Sequence, residues 1–481
     1  MKKIYKIFII PVLIFMFTGC GNDWLDLKPE NQFDTEVAIT KLSDAEAAVI
    51  GIYNSLQSSQ YYGGRMQYYG DVTGDDMQAN GISKRSAKYY TFAAAADDGY
   101  AWSLWEKPYN TIRLANNVLT AMEKFSPSGD AEKARYNNTK GEALFFRAFA
   151  HFDVNKIYGY PYAKDKGASW GAVIVDKAPE YGAKPARSTV AECYSKRIIP
   201  DLKDACNLLS EEPADGFLNK WGAKLLLSRV YLYVGDYKNA QREAEECIAG
   251  AEKKGYRLLT NANYKAGWEA PFNSESLFEL VNLPTNNAGN DGLPYLLWDK
   301  GYDDIIITSS FYELLSADRD DVRNQLLTKG TKAPSKVKYP QYILKYANDS
   351  DIKSSNIILL RLSEAYLNAA EAAVQNSDNT NAVKYLKAIV ERANPANTVT
   401  GTVTLAQVLQ ERRKELFGEG HRFFDLLRNG LTINRVGDSH LSGLTNDTRT
   451  LDWNNFRVAL PVPKYETDAN PQIARQQNPG W

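Results

Sequence analysis

Residues 223–247 read AKLLLSRVYLYVGDYKNAQREAEEC. Leu227, Ser228 and Tyr231 are followed by Gly235, Asp236 and Tyr237, then by Ala240, Ala244 and Cys247. Small and large residues at these offsets specify two antiparallel helices whose backbones approach closely at the small positions. The chain is therefore read as built from helix pairs.

Working outward, Leu362, Ser363 and Tyr366, then Ala382, Leu386 and Ile389, echo the pair. Matching Ser363 to Ser228 implies a loop seven residues longer in the second unit. Both units resemble tetratricopeptide (TPR) repeats, although two units this far apart are not a tandem array. Segment 38–57 places Ala38, Leu42, Ala45, Val49, Ile52 and Leu56 on one helical face, and segment 105–123 does so with Trp105, Tyr109, Ile112, Ala115 and Leu119. Segment 141–158 is apolar nearly all round and belongs inside a larger helical body. Segment 189–209 opens on a Thr189–Glu192 capping box and is broken or kinked at Pro200. A last helix is expected at about 404–417, between a Thr404–Gln407 capping box and Gly418. Between these lie insertions at 60–104, 159–187 and 257–350, rich in Gly, Asn, Asp, Tyr and Trp, with strand candidates at Val173–Val175, Leu277–Val281 and Tyr342–Tyr346. The expected fold is mainly α: a TPR-like helical scaffold with long loop insertions and a few short strands. Loops this long in a compact domain are usually functional.

The composition suits a globular body: 44 % hydrophobic and 24 % charged in 481 residues, which excludes a disordered chain or a polytopic membrane protein. Lys+Arg 57 against Asp+Glu 58 argues against nucleic acid as a partner. Three His and four Cys leave few ligands for a His/Cys metal site, and no cofactor or metal is expected. Aromatics, at 12 %, are the outlier.

Lys2, Lys3 and Lys6 precede an apolar run from Ile7 to Phe17, then Thr18-Gly19-Cys20. This is the pattern of an export signal. Eleven residues at about 1.5 Å each fall well short of the roughly 30 Å of a bilayer core. The Gly-Cys ending resembles a bacterial lipoprotein box, with Cys20 acylated and made the first mature residue; Phe17 departs from the usual Leu. Acyl chains contribute about 0.8 kcal/mol per buried CH₂ and would hold the protein on a membrane face. Residues 1–19 are thus read as signal and 20–37 as tether. The halves 38–250, with the TPR-like pairs, and 251–481, with the ligand-loop insertions, are expected to form one compact unit. Cys193, Cys206 and Cys247 are read as small buried hydrophobes.

Motifs spread over nearly the whole mature chain resemble the RagB/SusD family of outer-membrane nutrient-binding lipoproteins. They include Trp24-Leu25-Asp26, Gly141-Glu142-Ala143 with Arg147-Ala148-Phe149, and Arg361 with Glu364 and Leu367-Asn368. The block Glu411-Arg412-Arg413 to Arg428, the segment Leu460-Pro461-Val462-Pro463 and the ending Asn478-Pro479-Gly480-Trp481 complete them. The resemblance implies a SusD-like α-superhelix, a non-enzymatic glycan-capturing protein on the outer face of the outer membrane, and a SusC-like TonB-dependent transporter as partner.

Several motifs were weighed for other chemistry. Acids and arginines three or four apart in 411–428, such as Arg412/Glu415, Arg422/Asp425 and Asp425/Arg428, read as a structural ion-pair network; Arg361 with Glu364 and Glu142 with Arg147 read likewise. Gly167-Ala168-Ser169-Trp170-Gly171 fits G-x-S-x-G, but a strand-like segment follows it where a helix is needed. His151, His421 and His440 read as structural or solvated. Asp97-Asp98, Asp303-Asp304 and Asp318 to Asp321 lack an EF-hand pattern.

The loop aromatics are the candidate ligand set. A pyranose offers an apolar C–H face and a hydroxyl rim, which Tyr and Trp match with a ring face and a polar edge. The candidates are Trp298, Tyr295, Tyr302, Trp102, Trp268, Tyr61 and Tyr62, with Tyr68 and Tyr69 in the same loop. Asn286, Asn287, Asn290 and Arg85 are weaker candidates for hydroxyl contacts. The leading expectation is a surface lipoprotein that binds an oligosaccharide and hands it to the transporter. Capture of peptide or glycopeptide, a helical glycoside hydrolase and a purely protein-binding scaffold are the alternatives.

Overall fold

The computed structural model describes residues 38–178, 182–330, 339–346, 350–435, 437–441 and 444–481. The helices that frame the molecule are α1 (Leu42–Leu56), α2 (Arg65–Val72), α3 (Gly99–Met122), α4 (Gly129–Tyr158), α5 (Ile199–Leu208), α6 (Lys220–Val234), α7 (Tyr237–Lys253), α8 (Leu362–Gln375), α9 (Asn379–Ala393), α10 (Leu405–Glu415) and α11 (Arg422–Arg428).

Their ends follow from side chains that satisfy free backbone groups. The Asp98 carboxylate accepts from the N–H groups of Tyr100 and Ala101 at the start of α3. Thr189 and Glu192 form the expected capping box. The chain then makes a wide turn over Tyr194–Ile198, in which the Ile199 N–H reaches back five residues to the Tyr194 carbonyl. Pro200 has no N–H to offer an ordinary helical ladder here, which accounts for the break. In α1 the buried residues are Leu42, Ala45, Val49, Ile52 and Leu56, as the spacing indicates, but Ala38, expected on the same face, precedes the helix and is exposed. From Gly141 to Tyr158 the side of α4 away from α3 is covered too: it packs on α3 and on α5, so only Lys156 in that run is not buried.

The pair α6–α7 has the anticipated close approach: the Ser228 hydroxyl donates to the Ala240 carbonyl at 2.9 Å. Gly235 turns the chain at φ +72° and Asp236 caps α7. In α8–α9, Ser377 takes φ +61° and Asp378 caps the second helix in the same manner. The longer loop expected there does not exist: residues 376–378 join these helices, and 235–236 join the first pair. The turn fixes Ala370, not Ser363, as the counterpart of Ser228. Seven residues are two helical turns, so a residue on the right face but two turns early gave the same local pattern. The helix α10 ends where expected, but it is not the last, because α11 and the short helix Lys464–Ala469 follow.

Eight short strands pair in twos, all antiparallel: β1 (Met77–Ala79) with β3 (Ile305–Ile307), β2 (Ser276–Leu280) with β6 (Ile357–Arg361), β4 (Leu327–Thr328) with β5 (Tyr342–Ile343), and β7 (Ile433–Asn434) with β8 (Thr450–Leu451). Val173–Val175 is not a strand: its N–H groups go to side chains, Val173 to the Tyr109 hydroxyl and Val175 to His151. One hydrophobic core runs from Leu42 to Ile473 through both halves of the chain. Cys193, Cys206 and Cys247 are free and buried in it, and burial pushes each thiol well above its ordinary value.

The charged block is a buried ion-pair network, with partners drawn from across the fold. Arg361 holds Glu275, Glu415 and Glu419 at 3.1, 2.7 and 2.7 Å. Arg392 reaches Glu275 and Glu415, and Arg323 reaches Asp321, Glu411 and Glu415. Among the local pairs, Asp425–Arg428 forms, whereas Arg412 turns to Asp425 and Glu371, and Arg422 to Asp75 and Asp76. Glu364 is held by Arg229, and Arg147 by Asp201; among the described residues Glu142 has no ion pair and accepts from the Tyr53 hydroxyl. Apart from Arg428 with Asp425, these arginines reach between elements, so helical spacing did not decide their partners.

Candidate functional site

The pairing of β1 with β3 sets Met77 opposite Ile307 and Ala79 opposite Ile305, and so joins the first insertion to the third. Just beyond the strands, the Asn80 N–H donates to the Asp304 carbonyl and the Arg85 N–H to its carboxylate at 3.0 Å. Residues 80–86 are thereby laid against residues 290–304.

The segment from Leu293 to Asp304 closes on itself. The N–H groups of Tyr302 and Asp304 return to the carbonyls of Tyr295 and Leu296, and that of Asp303 to Trp298. At Gly301 a Cβ would stand 2.0 Å from the Tyr295 carbonyl oxygen, so this turn admits only glycine. The result is a shallow ledge. Tyr295 and Tyr302, both half-buried, meet edge to face with centroids 5.0 Å apart and planes at 90°. The Arg85 guanidinium lies 3.9 Å above the Tyr302 ring and pairs with Asp291 at 2.9 Å, with Arg85 half-buried and Asp291 exposed. The Lys84 ammonium donates to the Tyr302 carbonyl, Asn290 donates to the Tyr302 hydroxyl, and Lys353 stands 5.5 Å from the Tyr295 ring. Burial raises the Asp304 carboxyl against the pull of Arg85 and Lys84. Ring faces, amide, carboxylate and guanidinium within one small surface are the groups that bind a sugar's two kinds of edge.

Trp298 sits beneath this surface, 6 % exposed, packed with Ile306 and Tyr342; the Lys300 ammonium lies 4.2 Å from its ring. It supports the ledge from below. The other candidates lie elsewhere. Tyr61 and Tyr62 are core residues: both hydroxyls donate to the buried Asp153 carboxylate, at 2.6 and 2.9 Å, and Tyr62 stacks on Phe149. Their place in the 60–104 insertion reads as loop, but Asp153 on α4 supplies an acceptor that draws both phenols inward. Tyr68 and Tyr69 are likewise buried, in α2. Trp268 is 6 % exposed, with the Lys345 ammonium and the Arg361 guanidinium over its ring at 4.7 and 5.2 Å. Its ring serves the ion-pair network. Trp102 is half-buried and meets Tyr465, 69 % exposed, edge to face at 5.3 Å. Tyr465 and Lys353 were not singled out from the sequence, and no local signal marks them.

Asn286 donates to Asn54 and Asn287 to the Leu283 carbonyl, so both amides hold the loop. Ser169 is held by its N–H on Asp165, and Trp170 bridges to Thr189, so no strand–turn–helix elbow forms. His151 is fully buried: Nδ1 donates to the Arg147 carbonyl and Nε2 accepts from the Val175 N–H, which assigns the neutral form. Among the described residues no group of three or more His, Cys, Asp or Glu could hold a metal ion. Cys20 and residues 1–37 lie outside the described residues.

Comparison with known proteins agrees with the architecture. The family described as "SusD family" matches residues 326–481, and that described as "Starch-binding associating with outer membrane" matches residues 23–232. A SusD-like protein P2 of Formosa agariphila is 25 % identical over the full length of both chains. A crystal structure of a putative sugar binding protein from Bacteroides vulgatus is 48 % identical, covers 92 % of this chain and 99 % of its own, and superposes with a TM-score of 0.86. A SusD superfamily protein from the same species is 39 % identical over 92 % and 99 %, with a TM-score of 0.85. With the TPR-like helix pairs, the interleaved loops and full-length relatives at this identity, the chain belongs to the SusD family.

Proposed function

We propose that this chain is a cell-surface lipoprotein, anchored in the outer membrane through acylated Cys20, that binds a glycan nutrient on the Tyr295–Tyr302 ledge and delivers it to a SusC-like TonB-dependent transporter. The observation that carries the binding step is the perpendicular tyrosine pair under Arg85, rimmed by Asn290 and Asp291. The similarity to a putative sugar binding protein and to a family described as starch-binding associating with outer membrane supports the ligand class and the compartment. The ledge holds and orients; nothing in the proposal requires a bond to break.

The test uses the soluble form lacking residues 1–20. An oligosaccharide panel followed by calorimetry should find a ligand whose affinity falls at least tenfold in Tyr302→Ala. Unchanged affinity in both Tyr302→Ala and Arg85→Ala would remove the ledge from the site. Delivery is tested separately: membranes solubilised in mild detergent should yield the chain together with a large barrel protein, and its recovery alone would leave only the binding step standing.

A further inference from the structure

On another part of the surface, grooves meet around Phe217, in the loop between α5 and α6. One, of about 530 Å³, is lined by Glu46, Ile50, Asn138 and Glu142; the next, of about 420 Å³, by Tyr53, Asn54, Leu283 and Glu279; both share Ile50 and Phe217. Ile50, Phe217 and Leu283 are 49 %, 43 % and 51 % exposed, a concentration of large apolar side chains that water alone does not explain.

Arg135, paired with Glu46, lines the first groove and exposed Asp215 the second, and two buried carboxylates in these walls have no cation in contact. Glu142, 6 % exposed, accepts from the Tyr53 hydroxyl at 2.6 Å. Glu279, 2 % exposed, accepts from the Phe272 N–H and the Asn356 amide. Neither has a Lys or Arg within ion-pair distance among the described residues. Many other buried carboxylates differ: Glu275, Glu364, Glu371, Glu415, Glu419 and Asp425 are each held by an arginine, whereas Asp71, 3 % exposed, resembles the two groove acids and accepts from the Gly420 N–H. Of the basic groups that share a cavity wall with Glu142 or Glu279, Arg135 is engaged with Glu46, Lys254 with Glu212 and Lys345 with Glu419. Burial raises Glu142 to about 7, with Glu46 adding to the rise and Tyr53 opposing it; burial also raises Glu279.

We infer that the groove around Phe217 is a docking site for a peptide segment that carries lysine or arginine among apolar side chains. A buried carboxylate without a countercharge is costly, and an arriving ammonium or guanidinium would relieve that cost. The exposed apolar side chains of Ile50, Phe217 and Leu283 suit the apolar residues of such a segment, and the two buried acids suit its cations. The proposal stands apart from the glycan reading, since it uses none of the ledge residues.

The probe is fluorescently labelled acetyl-Leu-Lys-Leu-Lys-Leu-amide, compared with its glutamine-for-lysine counterpart on the soluble form lacking residues 1–20, read by anisotropy. The lysine peptide should bind at least tenfold tighter. Glu142→Gln with Glu279→Gln should erase that preference, and Phe217→Ser should weaken both peptides, while Tyr302→Ala should change neither. Melting curves confirm folding; if the double variant does not fold, Glu142→Gln alone should reduce the preference. Equal binding of the two peptides, or a preference that survives the glutamine substitutions, overturns the inference. So does an oligosaccharide whose binding is lost in Phe217→Ser, which makes the groove a sugar site, or self-association lost in that variant, which makes it a contact between copies.

Discussion

Replacing Arg361 by Met removes the most connected cation of the buried network while keeping a long apolar stem. The guanidinium contacts the carboxylates of Glu275, Glu415 and Glu419 and donates through Nη2 to the Glu415 carbonyl at 2.9 Å. Breaking a buried ion pair by deleting one partner costs about 3–5 kcal/mol, chiefly because a charge is left without compensation. Here each acceptor keeps a second donor: Arg392 remains on Glu275 and Glu415, Arg323 on Glu415, and Lys345 on Glu419 and on the Glu415 carbonyl. No carboxylate is orphaned, so the lower end of the range applies, about 3 kcal/mol. Urea unfolding of Arg361→Met should therefore show a lower midpoint with an unchanged slope, because the surface exposed on unfolding is the same. Arg361→Lys should recover part of the loss, since it restores charge without the planar fork. A change below about 1 kcal/mol in Arg361→Met would show that an apolar side chain serves as well in this place, and the view of the network as the brace of the C-terminal half would be abandoned.

Three further expectations concern other parts of the molecule. In glycan calorimetry, Tyr62→Phe should match the parent, because the Tyr62 hydroxyl is committed to Asp153 inside the core; a large loss there would return Tyr62 to the site. Burial lowers His151 to about 3, so the unfolded chain, with histidine near its ordinary pKa of about 6.5, binds a proton that the folded chain refuses. Its contribution is present above pH 6.5 and is lost progressively as pH falls towards 3; calorimetric melting of His151→Asn against the parent should show a shallower decline from pH 7 to 5, and parallel curves would exclude this source. Cys20→Ala should move the protein from membranes to the soluble fraction on cell fractionation, and retention in membranes would count against the acyl anchor.

The helical faces were legible because burial and the 3.6-residue period act on the same residues: Leu42, Ala45, Val49, Ile52 and Leu56 could be read directly from spacing. Capping at Thr189 and Thr404 was legible because it is settled within four residues. Partners settled over long sequence distances were not. Tyr61 and Tyr62 look like rim residues until Asp153, on α4, is placed beside them. Trp298 stands in a turn-rich stretch, yet Tyr342 and Ile306 cover it. Arg85 could be only a weak candidate, since its place over Tyr302 depends on a strand pairing of three residues a side. The charged block was legible as a network but not in its wiring, because arginine reaches across elements more readily than along one helix.

The joining of β1 to β3 also bears on when the protein becomes competent. Met77 and Ile307 are held together across an interval that contains α3 to α7 and most of the core. A nascent chain halted before residue 305 would carry Tyr302 but lack the strand that sets it beneath Arg85, while the helices behind it could already be packed. Closure of so distant a contact is entropically deferred until the intervening helices shorten the gap. On the proposed ledge reading, a copy truncated before β3 would therefore be silent rather than altered in its choice of ligand.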